Sequence, residues 1–273
     1  MTGAAARHPA GSKSVPRAVR VFEWLAASTL LLVAGTPGVA RAGTPMVRVP
    51  AGAYRPFFKG TEGAKPIPVP AFLLDAAPVT RGDFAAFLAR EPRWRTARVK
   101  RLFAEAGYLA GWNHDRPPAG TDAEPVTHVS WFAAKSYCEC EGRRLPTQAE
   151  WEWAAAPPAT AALPAPVIEV ASTNAGSAAT DPALALRFAM GRGRVPGLTF
   201  GQVWEWTSDF NSLLVAGATT DTGASLFCGD GFRANDARDY AGFLRFSFRS
   251  SLKASYTLKN LGFRCAQDAS DVK

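Results

Sequence analysis

Histidine is scarce in this chain. Of 273 residues three are histidine, and only His114 and His128 lie beyond position 42. Zinc and non-heme iron centres need several imidazole, thiolate or carboxylate ligands converging, and nothing in the spacing brings these two together. No G-x-S-x-G, P-loop or H-E-x-x-H string is present, so the usual signatures of serine hydrolases, nucleotide-phosphate binders and zincins are missing. There is no internal repeat. The apolar run Trp24–Gly35 is well short of the ~20 residues that a membrane-spanning helix takes. Basic residues exceed acidic ones by eight but are scattered, which gives no nucleic-acid footprint. Their one local cluster, Arg93, Arg95, Arg98, Lys100 and Arg101, reads as the solvated face of a helix.

The apolar run has a different reading. Arg7, Lys13, Arg17 and Arg20 precede it, and Ala40-Arg41-Ala42 follows as an A-x-A cleavage site, the layout of a secretory signal peptide over residues 1–42. No Arg-Arg pair precedes the run and no Cys follows it, against twin-arginine export or lipid attachment. Cleavage removes five basic residues and one acidic residue, which lowers the net charge from +8 to +4. The expected mature protein is periplasmic or secreted, has no stable membrane span, and forms one domain over 43–273.

What the chain has in quantity is apolar and aromatic mass: 47% hydrophobic residues, 8 Trp and 17 Phe. That suffices for one sizeable core. Met46–Tyr54 and Pro66–Asp75 read as extended segments, the second with edge-type prolines. Thr80 and Asp83 form a helix-start box ahead of Phe84, Phe87 and Leu88. A basic helix is expected over Arg95–Ala106, with Val99, Leu102 and Phe103 inward, and a surface loop over Leu109–Glu124. Ser130 caps a helix over Trp131–Glu141 with Gly142 at its end. Thr147 and Glu150 form a full capping box for a short helix that Pro157 and Pro158 stop. Trp151 and Trp153 point to different sides, so this helix is expected to be covered twice. Pro157–Gly201 is weakly periodic and expected to be irregular. In Leu244–Arg249, Leu244, Phe246 and Phe248 alternate with Arg245, Ser247 and Arg249, the pattern of a half-buried strand. The fold class is α+β.

Four cysteines, Cys138, Cys140, Cys228 and Cys265, allow three disulfide pairings. Cys138 and Cys140 sit two apart on a predicted helix, where side chains diverge, so each needs a distant partner. A metal site is the competing reading, but C-x-C with two isolated partners is poor zinc spacing.

Three strings carry a family resemblance: GRRLPTQAEWEWAA at Gly142–Ala155, VWEWTSD at Val203–Asp209 and NLGFRCA at Asn260–Ala266. In this order they closely resemble the signatures of the formylglycine-generating enzymes, also called sulfatase-modifying factors, over roughly Met46 to Gln267. The resemblance implies a compact, loop-rich, C-type-lectin-like fold. It also implies the pairing Cys138–Cys265, which leaves Cys140–Cys228 as the second bridge. Enzymes of the family oxidise a substrate cysteine with two copper(I)-binding cysteines, which lie about 24 and about 29 positions before the GFRCA cysteine. Counting back from Cys265 places Ala241 and Asp236 there. A copper dithiolate, and formylglycine generation with it, is therefore not expected. The family's calcium ligands are weakly matched: Gln202 stands where Asn is usual, and only Glu205 and Asp209 offer carboxylates, which hydrogen bonding beside Trp204 and Trp206 explains equally well.

Two function classes follow. The first is a non-catalytic exported binding or maturation accessory, resembling family members linked to periplasmic copper nitrite reductase and to siderophore maturation. Its partner is a protein or peptide held in a groove formed by Trp204, Glu205, Trp206, Asp236, Ala241, Arg245 and Arg249; both tryptophans and Arg249 read equally as interior residues. The second is an oxidoreductase with a different redox centre using Cys228, His114 or His128.

Overall fold

The computed structural model describes residues 44–57, 65–156, 193–214 and 237–271, with only the backbone at 237–240 and 271. The expected signal peptide, most of Pro157–Gly201, Cys228 and Asp236 lie outside them. The two extended segments each divide at a proline: β1 (Met46–Val49) and β2 (Gly52–Tyr54) flank Pro50, while β3 (Ile67–Val69) and β4 (Phe72–Asp75) flank Pro70. Proline removes a ladder donor, so one long hairpin becomes two antiparallel pairs. Val49 pairs with Phe72 before the break and Gly52 with Val69 after it. On its other edge β4 pairs antiparallel with β7 (Ala266–Asp268), giving the order β1-β4-β7.

Three helices begin as the sequence predicts. The Thr80 hydroxyl accepts from the Asp83 backbone N–H at 3.1 Å and donates to its carboxylate at 2.7 Å, starting α1 (Arg81–Arg90). Phe84, Phe87 and Leu88 are buried at spacings of three, one and four, a single helical face. Ser130 accepts from Ala133 N–H and starts α2 (Trp131–Cys140), which ends against Gly142 at φ 68°. Thr147 and Glu150 close a reciprocal capping box at α3 (Gln148–Ala155). Trp151 is fully buried on one side of α3, while Trp153 donates to Pro50 O on the other.

Two sequence expectations fail. Arg95–Ala106 is not a helix: a 3-10 turn over Pro92–Trp94 leads into irregular turns. Arg95 donates its side-chain Nε–H to Leu88 O, and Thr96 donates its backbone N–H and hydroxyl to Asp115. Val99 and Phe103 pack inward, but Leu102 is 75% exposed. The second correction is at Leu244–Arg249. It belongs to a helix, α4 (Ala237–Ser250), because Ala241, Arg245 and Arg249, four apart, share one helical face, with Ala241 and Arg249 buried, and an acid receives the two arginines.

β5 (Trp204–Glu205) and β6 (Leu261–Gly262) form a two-residue parallel pair. A Cβ on Gly262 would stand 2.4 Å from Val126 O, so the glycine of NLGFRCA is a close-approach position. The main core gathers Phe84, Phe87, Tyr137, Trp206 and Phe263 under α1 and α2, and a second cluster joins Val49, Phe72, Leu74 and Ala154 across the sheet. These elements lie in one compact unit, Ala42–Lys273. No helix among the described residues is long and apolar enough to cross a membrane.

Candidate functional site

The capping box fixes where α3 starts, and that sets which way Glu152 points. Its carboxylate is buried and receives two arginines of α4, Arg245 and Arg249. Arg245 donates Nε–H to Oε1 at 2.8 Å and Nη2–H to Oε2 at 2.6 Å, and Arg249 donates Nη1–H to Oε1 at 2.6 Å. Burial opposes the charge on Glu152, yet the two guanidinium groups outweigh it and hold the carboxyl below its usual range. Arg249 also lies 5.0 Å over the Trp151 ring. Tyr54, on β2, completes the cluster, and its phenol is pushed up by burial and by the Glu152 charge.

Trp151 ties this cluster to the other two strings. Its indole N–H donates to Glu205 Oε2 at 2.9 Å, and Glu205 forms a buried ion pair with Arg264 at 2.6 Å. Arg264 is fully buried and also donates to Asp75 O at 3.0 Å. Beside it, the Asp75 carboxylate takes Arg143 at 2.6 Å and Cys265 N–H at 2.8 Å. Burial outweighs these partners and pushes the Asp75 carboxyl up to about 7. Cys265 forms the expected disulfide with Cys138. Cys140 is a free, exposed cysteine at the end of α2, so the second bridge expected to Cys228, which lies outside the described residues, is not formed here.

The residues of the expected groove divide into two groups. Trp206 is fully buried and donates to Val129 O at 2.9 Å; Glu205, Ala241 and Arg249 are buried as well. Trp204 is half-buried and stacks on Phe248 of α4 with ring centroids 4.3 Å apart. A cavity of about 20 Å³ beside Glu152, lined by Tyr54, Gln148, Phe246 and Arg249, has room for about one water. Composition hid the organising acid: Glu152 stands between two tryptophans on an eight-residue helix, and that burial was the available signal.

The remaining candidates do not converge. Both Glu205 oxygens are engaged by Arg264 and Trp151, and Asp209 accepts the Gln148 backbone N–H at 2.7 Å at the start of α3. The calcium ligand pair is thus not gathered, and among the described residues no three His, Cys, Asp or Glu side chains cluster as metal ligands. His114 is exposed with Nδ1 on Asn113 Oδ1 at 2.5 Å. His128 sits at φ 57° with Nδ1 3.2 Å from Thr257 O.

Comparison with known proteins places this geometry. The model of the sulfatase-modifying factor enzyme 1-like domain matches residues 35–169 and 198–269. The chain is 33% identical over 213 residues to a hercynine oxygenase of Mycolicibacterium smegmatis, covering 65% of this chain and 47% of that protein. It is 31% identical over 251 residues to a formylglycine-generating enzyme of Streptomyces coelicolor, covering 72% and 78% respectively. An inactive C-alpha-formylglycine-generating enzyme 2 of Bos taurus is 31% identical over 145 residues, 40% of this chain and 48% of that protein. The chain spans about half the length of the hercynine oxygenases it matches. With all three strings joined through Trp151, Glu205 and Arg264, and with the family's model matched on both sides of residues 170–197, the chain belongs to the sulfatase-modifying factor enzyme 1-like family.

Proposed function

We propose that this chain is an exported, non-catalytic member of the family that binds a protein or peptide and assists maturation of a periplasmic copper or redox enzyme. Its architecture on this reading is C-type-lectin-like, and it acts in the periplasm or outside the cell after losing residues 1–42. One observation carries the reading. Ala241, where the family resemblance expects a copper-binding thiol, puts a methyl group on the buried face of α4 that Arg245 and Arg249 close onto Glu152. The similarity to an inactive C-alpha-formylglycine-generating enzyme 2 supports a non-catalytic role within this family. The accessible part of the expected groove is the Trp204–Phe248 stack, an aromatic surface of the kind that anchors peptide partners.

The test combines chemistry and capture. After its free thiols are counted, the purified protein is incubated with copper(I), oxygen and a cysteine-containing peptide; the peptide cysteine is expected to survive. Capture from native periplasm is expected to retain a redox or copper enzyme, and Trp204→Ala to weaken that capture about tenfold or more. Conversion of the peptide cysteine to an aldehyde overturns the non-catalytic reading.

A further inference from the structure

The turn that replaces the expected basic helix is a separate feature of the surface, remote from α3 and α4 in sequence. From Arg93 to Arg101 it carries five basic residues and no acid. Val99 and Phe103 pack against the main core, and backbone bonds from Val99 N–H to Arg95 O and from Phe103 N–H to Lys100 O hold the turn between them. Pinned this way, the turn presents Arg98, Lys100, Arg101 and Leu102 to solvent. Leu102 is 75% exposed, and among the described residues no other large hydrophobic side chain is exposed.

The neighbouring acids are engaged elsewhere. Glu91 pairs with Arg93 at 3.2 Å, Glu105 accepts the Thr257 backbone N–H at 2.9 Å, and Asp115 holds the Thr96 backbone and hydroxyl at 2.8 and 2.6 Å. Among the described residues no acid pairs with Arg98, Lys100 or Arg101. The patch borders neither of the two cavities near α3.

We infer that the Arg98–Leu102 turn is a peripheral docking point for an anionic lipid surface. Three cations flanking one protruding leucine match the two layers of such a surface. Ammonium and guanidinium groups meet headgroup phosphates, while the isobutyl group enters the boundary of the acyl chains. An acidic protein would neutralise the charges, but the exposed leucine gives the lipid interface the better fit. Attachment of this kind is weak and reversible, because it rests on three charges and one side chain.

Hydrogen exchange of the full chain, with vesicles of phosphatidylglycerol or of phosphatidylcholine, reads the turn directly and is blind to attachment elsewhere. Protection over residues 97–103 is expected with phosphatidylglycerol, reversed by high salt, and absent with phosphatidylcholine. Arg98→Gln/Lys100→Gln/Arg101→Gln is expected to raise the lipid concentration for half-protection about a hundredfold. Leu102→Ser is expected to raise it about tenfold. Unchanged exchange over 97–103 with phosphatidylglycerol, or equal protection by both lipids, overturns the inference. So does protection by a polyglutamate peptide with none by vesicles, which assigns the patch to an acidic polypeptide. None of these outcomes bears on Ala241 or Trp204, so this test and that of the accessory role fail independently.

Discussion

Glu152→Gln is the substitution that most directly probes how α4 is held. The carboxylate has both oxygens occupied, Oε1 by Arg249 and Arg245 at 2.6 and 2.8 Å, and Oε2 by Arg245 at 2.6 Å. An amide of the same shape supplies one acceptor oxygen and turns its own N–H groups toward a guanidinium. Two buried cations then lose the charge that compensates them. Breaking a buried pair on one side typically costs about 3–5 kcal/mol, since the remaining charge stays desolvated. With a urea m-value of ~2 kcal/mol/M, the unfolding midpoint is expected to fall by ~2 M. Arg249→Met is expected to cost roughly half as much, because Arg245 still grips the carboxylate bidentately and the thioether fills the space under Trp151. The pH dependence adds a second check. Glu152 titrates below its usual range when folded, so its contribution is present above about pH 4.3 and is lost as the pH falls further. Wild type and Glu152→Gln are therefore expected to converge only in acid. A loss below ~0.5 kcal/mol, the size of a solvent-exposed pair, would mean that the arginines face outward as the sequence pattern suggested.

Two further outcomes are expected. Asp75 titrates near 7 when folded and near 3.8 as a free side chain, so the stability it contributes is greatest below about pH 4 and falls as pH rises through about 7. The stability difference between wild type and Asp75→Asn, from urea unfolding at several pH values, is expected to shift over that window; a flat difference refutes it. Cys138→Ala opens a loop spanning 127 positions and is expected to cost up to about 5 kcal/mol in the chain-entropy account. Non-reducing peptide mapping of the wild type checks that bridge and also tests that Cys140 is free.

Local chemistry was the legible part of the sequence. Thr80, Ser130 and Thr147 start helices where their hydroxyls reach the third backbone N–H on, a signal contained within four residues. The disulfide was legible only through the family strings, since Cys138 and Cys265 meet across 127 positions of sequence. Failures came where distant partners override local pattern. Alternation in Leu244–Arg249 assigns the arginines to water, but Glu152, 93 and 97 positions away, takes them inside. Val99, Leu102 and Phe103 have helical spacing, yet the segment folds as successive turns that pack Val99 and Phe103 inward and leave Leu102 exposed. The enclosed acid of the site was missed for the same reason, because a carboxylate's burial depends on cations that only folding brings near.

The position of β4 has a consequence for how the protein is made. Its residues, near position 72, are flanked by β1 near position 47 and by β7 near position 267. As synthesis proceeds, one edge of β4 is paired early by the hairpin, and the other stays open until nearly two hundred more residues exist. During that interval the nascent chain carries an unsatisfied sheet edge, the kind of surface that recruits other strands. Closure is also a high-contact-order event, so the sheet is expected to complete late and slowly relative to the three capped helices. The open edge of β4 thus persists until residue 268 is available, whatever the finished protein binds.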